Sequence, residues 1–242
     1  MNKCESYSRN DLVARYEERR FHGRSGEFVN LKELESVYRY IARYVKKDQP
    51  VLDFPCGTGR LDRFLKQRAV EVIGADYSEA MLRRARNEVA IPFIRADAFR
   101  IPFKDSMIGC VASLRFLFHY REVEPFFQEV GRILKEDGVF IFDTFKWSPR
   151  AFSFLNEKRV YVHSTGKIRK SLARMGMDVV EERHSFFFSP MLYKRLPFPA
   201  VQFLDAMERI APSWLLVRVF WCVRKNRSSG IKQIGMPEAR EE

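Results

Sequence analysis

The sequence predicts an α/β fold, a doubly wound and mostly parallel sheet with helices on both faces, and three observations lead to it. Between Pro50 and Phe145, short apolar runs alternate with amphipathic stretches at the spacing of strands joined by crossover helices. Those runs lack strict polar–apolar alternation, as strands buried on both sides do. The chain has 242 residues, 46% of them hydrophobic, enough for one large α/β core.

Residues 1–48 read as an N-terminal helical cap, with helices near 10–21 and 31–46 joined by the glycine-containing loop HGRSGEF. VLDF (51–54) is the first predicted strand, followed by a helix over 60–68. EVIGAD (71–76) is the second, and Ser78 is placed to cap the helix SEAMLRRARNEV. IPFIRAD (91–97) and MIGCVASL (107–114) are the third and fourth. A helix over about 122–134 should end near Gly138, in the manner of a C-terminal cap glycine, before the fifth strand VFIFDTF (139–145). Beyond Phe145 we expect a helix at 167–175, a strand at 177–188, a helix at 199–210 and a last strand at 214–223. The main domain should span 49–224, with an insertion at 184–214 and a polar, disordered tail at 225–242.

The four cysteines are scattered, without a C-x-x-C pair or a histidine cluster, so neither a disulfide framework nor a metal site is expected. A polar N-terminus and no apolar run of membrane-spanning length point to a soluble, cytoplasmic protein. The net charge of +12 permits nucleic acid, anionic membrane surfaces or acidic small molecules as partners, without choosing among them. No obligate protein partner is implied.

Ligands of open α/β sheets sit beyond the C-terminal ends of the strands. After the first strand comes Asp53-Phe54-Pro55-Cys56-Gly57-Thr58-Gly59-Arg60. Gly57 and Gly59 allow a tight turn and close approach of a ligand, a feature that dinucleotide sites share. Asp53 is more informative, because a carboxylate beside the turn repels a pyrophosphate and attracts a cation. S-adenosylmethionine carries an ammonium and a sulfonium and no phosphate, so the methyl donor is favoured over NAD. The second strand ends in Asp76, which can accept hydrogen bonds from two ribose hydroxyls. The third ends in Asp97-Ala98, where a carboxylate can accept from an adenine amino group. Helix capping is the plain alternative for each acid taken alone.

The segments VLDFPCGTGR, VIGADYSEAML, FIRADAFRIPFKDS and GRILKEDGVFIFD resemble the class I S-adenosylmethionine-dependent methyltransferases, particularly the type 11 group. The resemblance implies a Rossmann-like sheet of five parallel strands closed by a C-terminal antiparallel pair. It implies that Asp53, Gly57 and Gly59 line the methionine part of S-adenosylmethionine and that Asp76 binds the ribose. Tyr77 and Met81 would lie near the adenine, Asp97 and Ala98 against its ring, and Leu114, Arg115 and Phe116 beneath the sulfonium. Pro55 falls in the donor-binding turn where many members have glycine, which requires φ near −65° there. Gly109 replaces a usual aspartate in the fourth strand.

Methyl transfer from a sulfonium is an in-line displacement that positioning alone can accelerate. An oxygen or carbon acceptor can still need a base. His119, in RFLFHY after the fourth strand, is the candidate base, against the reading of a loop-orienting histidine. Asp143 and Thr144 end the fifth strand on the same rim and could orient an acceptor or cap a helix. Tyr16 and Arg20 could close over the donor. The aromatic insertion at 184–214 suits either an acceptor pocket or a small extra core. The sequence therefore favours a small-molecule methyltransferase. The alternatives are an RNA methyltransferase, for which no recognition module is visible, and a lipid or quinone methyltransferase at a membrane surface.

Overall fold

The computed structural model describes residues 21–148 and 160–227. Its elements run α1 (Gly23–Tyr44), β1 (Val51–Asp53), α2 (Arg60–Lys66), β2 (Val72–Asp76), α3 (Glu79–Glu88), β3 (Phe93–Arg95), β4 (Ile108–Ser113), α4 (Glu124–Ile133) and β5 (Leu134–Phe145). There follow α5 (Thr165–Arg174), β6 (Met177–Ser185), α6 (Pro190–Tyr193), α7 (Phe198–Glu208) and β7 (Arg218–Lys225).

These strands form one sheet in the order β3-β2-β1-β4-β5-β7-β6. β1 to β5 pair in parallel, and β7 runs antiparallel to both β5 and β6. The predicted five parallel strands and C-terminal antiparallel pair are what the chain forms. Successive residues of a strand face opposite sides, and β5 uses both. Val139 and Ile141 pack with α1 and α2, whereas Phe140 and Phe142 pack with α4, α5 and Trp221. Burial on both faces explains why these runs read as unbroken hydrophobic sequence. The chain order reverses between β1 and β4, which opens a crevice at their C-terminal ends.

Three local expectations are corrected. The segment HGRSGEF forms the start of α1 instead of a loop. A Cβ on Gly26 would lie 2.6 Å from the backbone carbon of Phe21, so that glycine permits a close chain approach and does not break the helix. Gly138 does not cap α4, because the helix ends at Ile133 and β5 begins at Leu134. It follows Asp137, which is in the left-handed region, in a tight turn inside the strand; a Cβ there would sit 2.7 Å from the Lys135 carbonyl oxygen. The last two strands are Met177–Ser185 and Arg218–Lys225, and 213–215 is a single 3-10 turn. The expected helix at 10–21 falls almost wholly outside the described residues, as do Tyr16, Arg20 and the tail from 228. Ser78 caps α3 as predicted, its hydroxyl accepting from the Met81 amide.

Candidate active site

The turn between β1 and α2 is built by glycine geometry. Gly57 and Gly59 both have positive φ, and the Phe54–Pro55 bond is cis. A side chain on Gly57 would meet nothing within 4 Å, so the backbone here borders open space. On Gly59 it would press on Ala85 of α3 at 3.1 Å, so that glycine serves helix packing. Gly57 N–H donates to Asp76 Oδ2 at 2.9 Å, and Ser78 N–H donates to Asp76 Oδ1 at 2.8 Å. Each Asp76 oxygen retains acceptor capacity beyond these bonds.

Beside the turn, three carboxyls are buried together: Asp53, Asp62 and Asp76. Burial pushes Asp53 well above the ordinary carboxylate range; Asp62 and Asp76 add to the rise, and Arg60 opposes it. Burial pushes Asp62 up to about 8. Neither of its oxygens has a hydrogen-bond partner among the described residues. Asp76 is raised by burial and partly relieved by its backbone donors. Acids in this state gain most from a positive charge brought among them.

At the end of β3, Asp97 is exposed and accepts from the Phe99 amide at 2.9 Å, while Ala98 is buried. Tyr77 is exposed, with the Arg95 guanidinium 5.6 Å from its ring centre, and Met81 is buried behind the turn. Phe99 stands edge-on to Tyr120 at 5.5 Å, and Tyr120 packs on Phe116 at 4.8 Å. This aromatic wall was not foreseen, and the sequence signal for it was only the spacing of Phe99 two residues past Asp97.

Past β4, Arg115 has positive φ, which sends Leu114 into the α1 side of the core and Phe116 into the α4 side. Its side chain joins a buried ionic cluster that sequence reasoning missed. Glu33 of α1, fully buried, accepts from Arg60 at 2.9 Å, from Arg115 Nε at 2.8 Å, and from Arg218. Burial alone would raise Glu33, but Arg115, Arg218 and Arg60 together hold it far below the usual range. The Phe21 ring lies 4.7 Å from the Arg60 guanidinium and 5.0 Å from that of Arg115. α1 is thereby tied to the rim at the ends of β1, β4 and β7.

Asp143 belongs to the same cluster, and its expected part in orienting an acceptor is corrected. Its two oxygens accept from Arg115 N–H at 2.7 Å and Arg218 Nε at 2.8 Å, and its side chain is fully buried. It fixes Arg115 and Arg218 and presents no free carboxylate to the rim. Thr144 likewise accepts from the Trp221 indole at 2.8 Å. His119 closes the 3-10 turn Leu117–His119 after β4, half-buried against Phe118.

Residues 52–142 match the family model described as a methyltransferase domain. Over this segment the chain is similar to the S-adenosylmethionine-dependent methyltransferases. It is 31% identical over 112 residues to the demethylmenaquinone methyltransferase of Thermus thermophilus, covering 43% of this chain and 51% of that one. An S-adenosylmethionine-dependent methyltransferase structure from Thermotoga maritima superimposes with a TM-score of 0.66 at 19% identity, covering 90% and 97% of the two chains. Geranyl diphosphate C-methyltransferase of Streptomyces coelicolor, solved with Mg2+, geranyl diphosphate and S-adenosyl-L-homocysteine, gives a TM-score of 0.62 at 15% identity, with coverages of 80% and 77%. At these identities the structural likenesses establish the fold. The chain spans about two fifths to one half of the length of the curated relatives it matches.

Outside the matched segment, the methyltransferase sheet carries α6 and α7 between β6 and β7. Most of the aromatic insertion has become core. Phe186, Phe187 and Tyr193 are buried, and the Tyr193 hydroxyl donates to Glu208 at 3.1 Å while accepting from the Phe187 amide at 3.1 Å. Tyr193 therefore supports the fold. Gly109, the other departure in sequence, faces Gln49; a Cβ there would sit 2.5 Å from its amide oxygen.

Proposed function

We propose that this chain transfers a methyl group from S-adenosylmethionine to a small-molecule acceptor. The observation that carries the reading is the group of buried carboxyls Asp53, Asp62 and Asp76 around a glycine turn that opens onto free space. An anionic pyrophosphate does not suit such a wall, whereas a ligand with an ammonium and a sulfonium does.

In this reading Asp53 and the Gly57 backbone receive the methionyl end, with Pro55 and Gly59 shaping the turn. Asp76 already binds the turn through Gly57 and has acceptor capacity left for ribose hydroxyls. Asp97 and Ala98 border the adenine, with Tyr77 at its edge, Met81 behind and the Phe99–Tyr120 pair as a flat wall. Leu114, Arg115 and Phe116 form the floor at the reacting end. The bound donor supplies an electrophilic methyl on a good leaving group, so the protein's work is orientation and exclusion of water. His119 is the titratable group on the acceptor side of β4 and would take a proton from an oxygen or carbon acceptor. α1, held by Glu33, closes the N-terminal side of the rim, and residues 184–214 frame the acceptor side.

A small-molecule acceptor is supported by the demethylmenaquinone and geranyl diphosphate methyltransferases among the similar proteins. Calorimetry with S-adenosylhomocysteine and with NAD tests the donor half, and binding must be confined to the former. Incubation with methyl-labelled donor and fractionated cell extract tests the acceptor half. Label in the RNA fraction alone would transfer the assignment to an RNA methyltransferase.

A further inference from the structure

We infer that the outer face of α7, together with Trp147 and Trp214, docks on an anionic phospholipid surface, and that the acceptor is a lipid-soluble molecule taken from it. The second half rests on the methyl-transfer reading above.

Phe203, Met207 and Ile210 follow one another at spacings of four and three residues, which puts them along one side of α7 and the turn that extends it, and Trp214 follows in the 3-10 turn Ser213–Leu215. All four are exposed, Phe203 by 65%, Ile210 by 77% and Trp214 by 59%. Trp147, 72% exposed, follows the end of β5, beside the start of β7, and two hydrogen bonds join its neighbours to those of Trp214. Lys146 Nζ donates to the Ser213 carbonyl at 2.6 Å, and Ser148 Oγ donates to the Leu215 carbonyl at 3.2 Å. The residues flanking one tryptophan thus hold the residues flanking the other. A contiguous ridge of this kind exceeds the scattered apolar residues of an ordinary soluble surface.

The charges of the same segment are sorted. Between Phe198 and Trp214 the ionisable side chains are Asp205, Glu208 and Arg209. Both acids are paired with Lys32 of α1, and Glu208 also accepts from Ser185 at 2.8 Å. Of the three only Arg209 is exposed, and Arg195 in the preceding turn is exposed as well. The face therefore offers apolar and indole side chains with a cationic fringe and no outward carboxylate. That is the composition that sits at an anionic lipid headgroup boundary, on a chain whose net charge is +12. Among the described residues no helix is long and apolar enough to cross a membrane, so the contact is peripheral.

The ridge also lies beside the site. Lys146 and Trp147 follow directly on Phe145, the C-terminal end of β5, and Lys146 N–H donates to the Val217 carbonyl next to Arg218. An acceptor leaving the bilayer at this edge meets the rim at the C-terminal end of β5 and the start of β7.

The test is co-sedimentation of the full chain with phosphatidylcholine vesicles, with and without phosphatidylglycerol. Binding is expected to the phosphatidylglycerol vesicles and to weaken about tenfold for F203E and again for I210E, one buried apolar side chain each. S-adenosylhomocysteine affinity should stay unchanged in both variants, which separates this proposal from the donor reading. Wild-type binding equal to that of the double variant, or none at all, overturns the docking surface. A wild-type dimer that I210E dissociates, with no vesicle binding, reassigns the face to a second copy. Label from the methyl donor should appear in solvent-extractable lipid, and label confined to water-soluble products overturns the acceptor class.

Discussion

The carboxylate of Asp76 accepts the Gly57 amide proton at 2.9 Å, so the end of β2 holds the turn that follows β1. One side chain thus shapes the turn and, in the proposed function, receives the ribose. Asp76→Ala should weaken S-adenosylhomocysteine binding by about 1.5–3 kcal/mol, the range for stranding donors of a charged acceptor. Asp76→Asn should cost less, because its amide oxygen still accepts. Titration calorimetry on both variants checks this, and wild-type affinity in both would remove Asp76 from the donor site.

Glu33 is the anion on which Arg60, Arg115 and Arg218 converge. Glu33→Ala leaves three guanidiniums with only Asp143 among the buried acids of the cluster, and removing one partner of a buried ionic set costs about 3–5 kcal/mol. Chemical denaturation should show a loss of that order. Glu33→Gln should recover part of it through its carbonyl oxygen. A loss below 1 kcal/mol, the size of an exposed pair, would mean that the cluster does not hold α1.

The contrast between Asp76 and Glu33 shows what was legible in the sequence. The places of Asp53, Asp76 and Asp97 at or just past strand ends were legible because those ends are marked by a change from apolar residues to a turn, and the fold sets them on one rim. Glu33 could not, since its partners lie 27, 82 and 185 positions away and nothing local distinguishes it from other acids of an amphipathic helix. Asp143 was found by position but misread in role, because its pairing with Arg218 arises only from the antiparallel register of β5 and β7. The sheet order was legible from strand–helix alternation. The start of α1 was not, since two glycines argue locally for a loop and tertiary packing overrides them.

Tyr193 gives a direct check of the insertion's role. Tyr193→Phe removes a buried hydroxyl that bridges Phe187 and Glu208, at a cost of about 1–2 kcal/mol in stability. Turnover per folded molecule should stay near wild type. A specific rise in acceptor KM with unchanged thermal stability would instead place Tyr193 in the acceptor site.

Asp62 makes the ligand-free protein sensitive to pH in a direction opposite to that of an ion-paired acid such as Glu33. Its pKa stands at about 8 in the folded chain, raised first by burial, against roughly 3.9 in an unfolded one. Between these values the folded state binds more protons than the unfolded state, so stability must fall as pH rises. The contribution is complete below about pH 4 and is lost as pH climbs toward 8, and Asp53 and Asp76 act with the same sign. His163 and His184, whose pKa values burial lowers, act oppositely near pH 6, so the wild-type profile is a sum. Asp62→Asn isolates the term, because an amide fills the same space and does not titrate. The melting temperature of the variant should depend less steeply on pH between 5 and 8 than that of wild type, with the largest gain at the alkaline end. Adding S-adenosylhomocysteine, whose ammonium favours the ionised acids, should also flatten the wild-type profile and release protons to the buffer. Identical pH profiles for wild type and variant would show that Asp62 does not carry a proton in the folded protein.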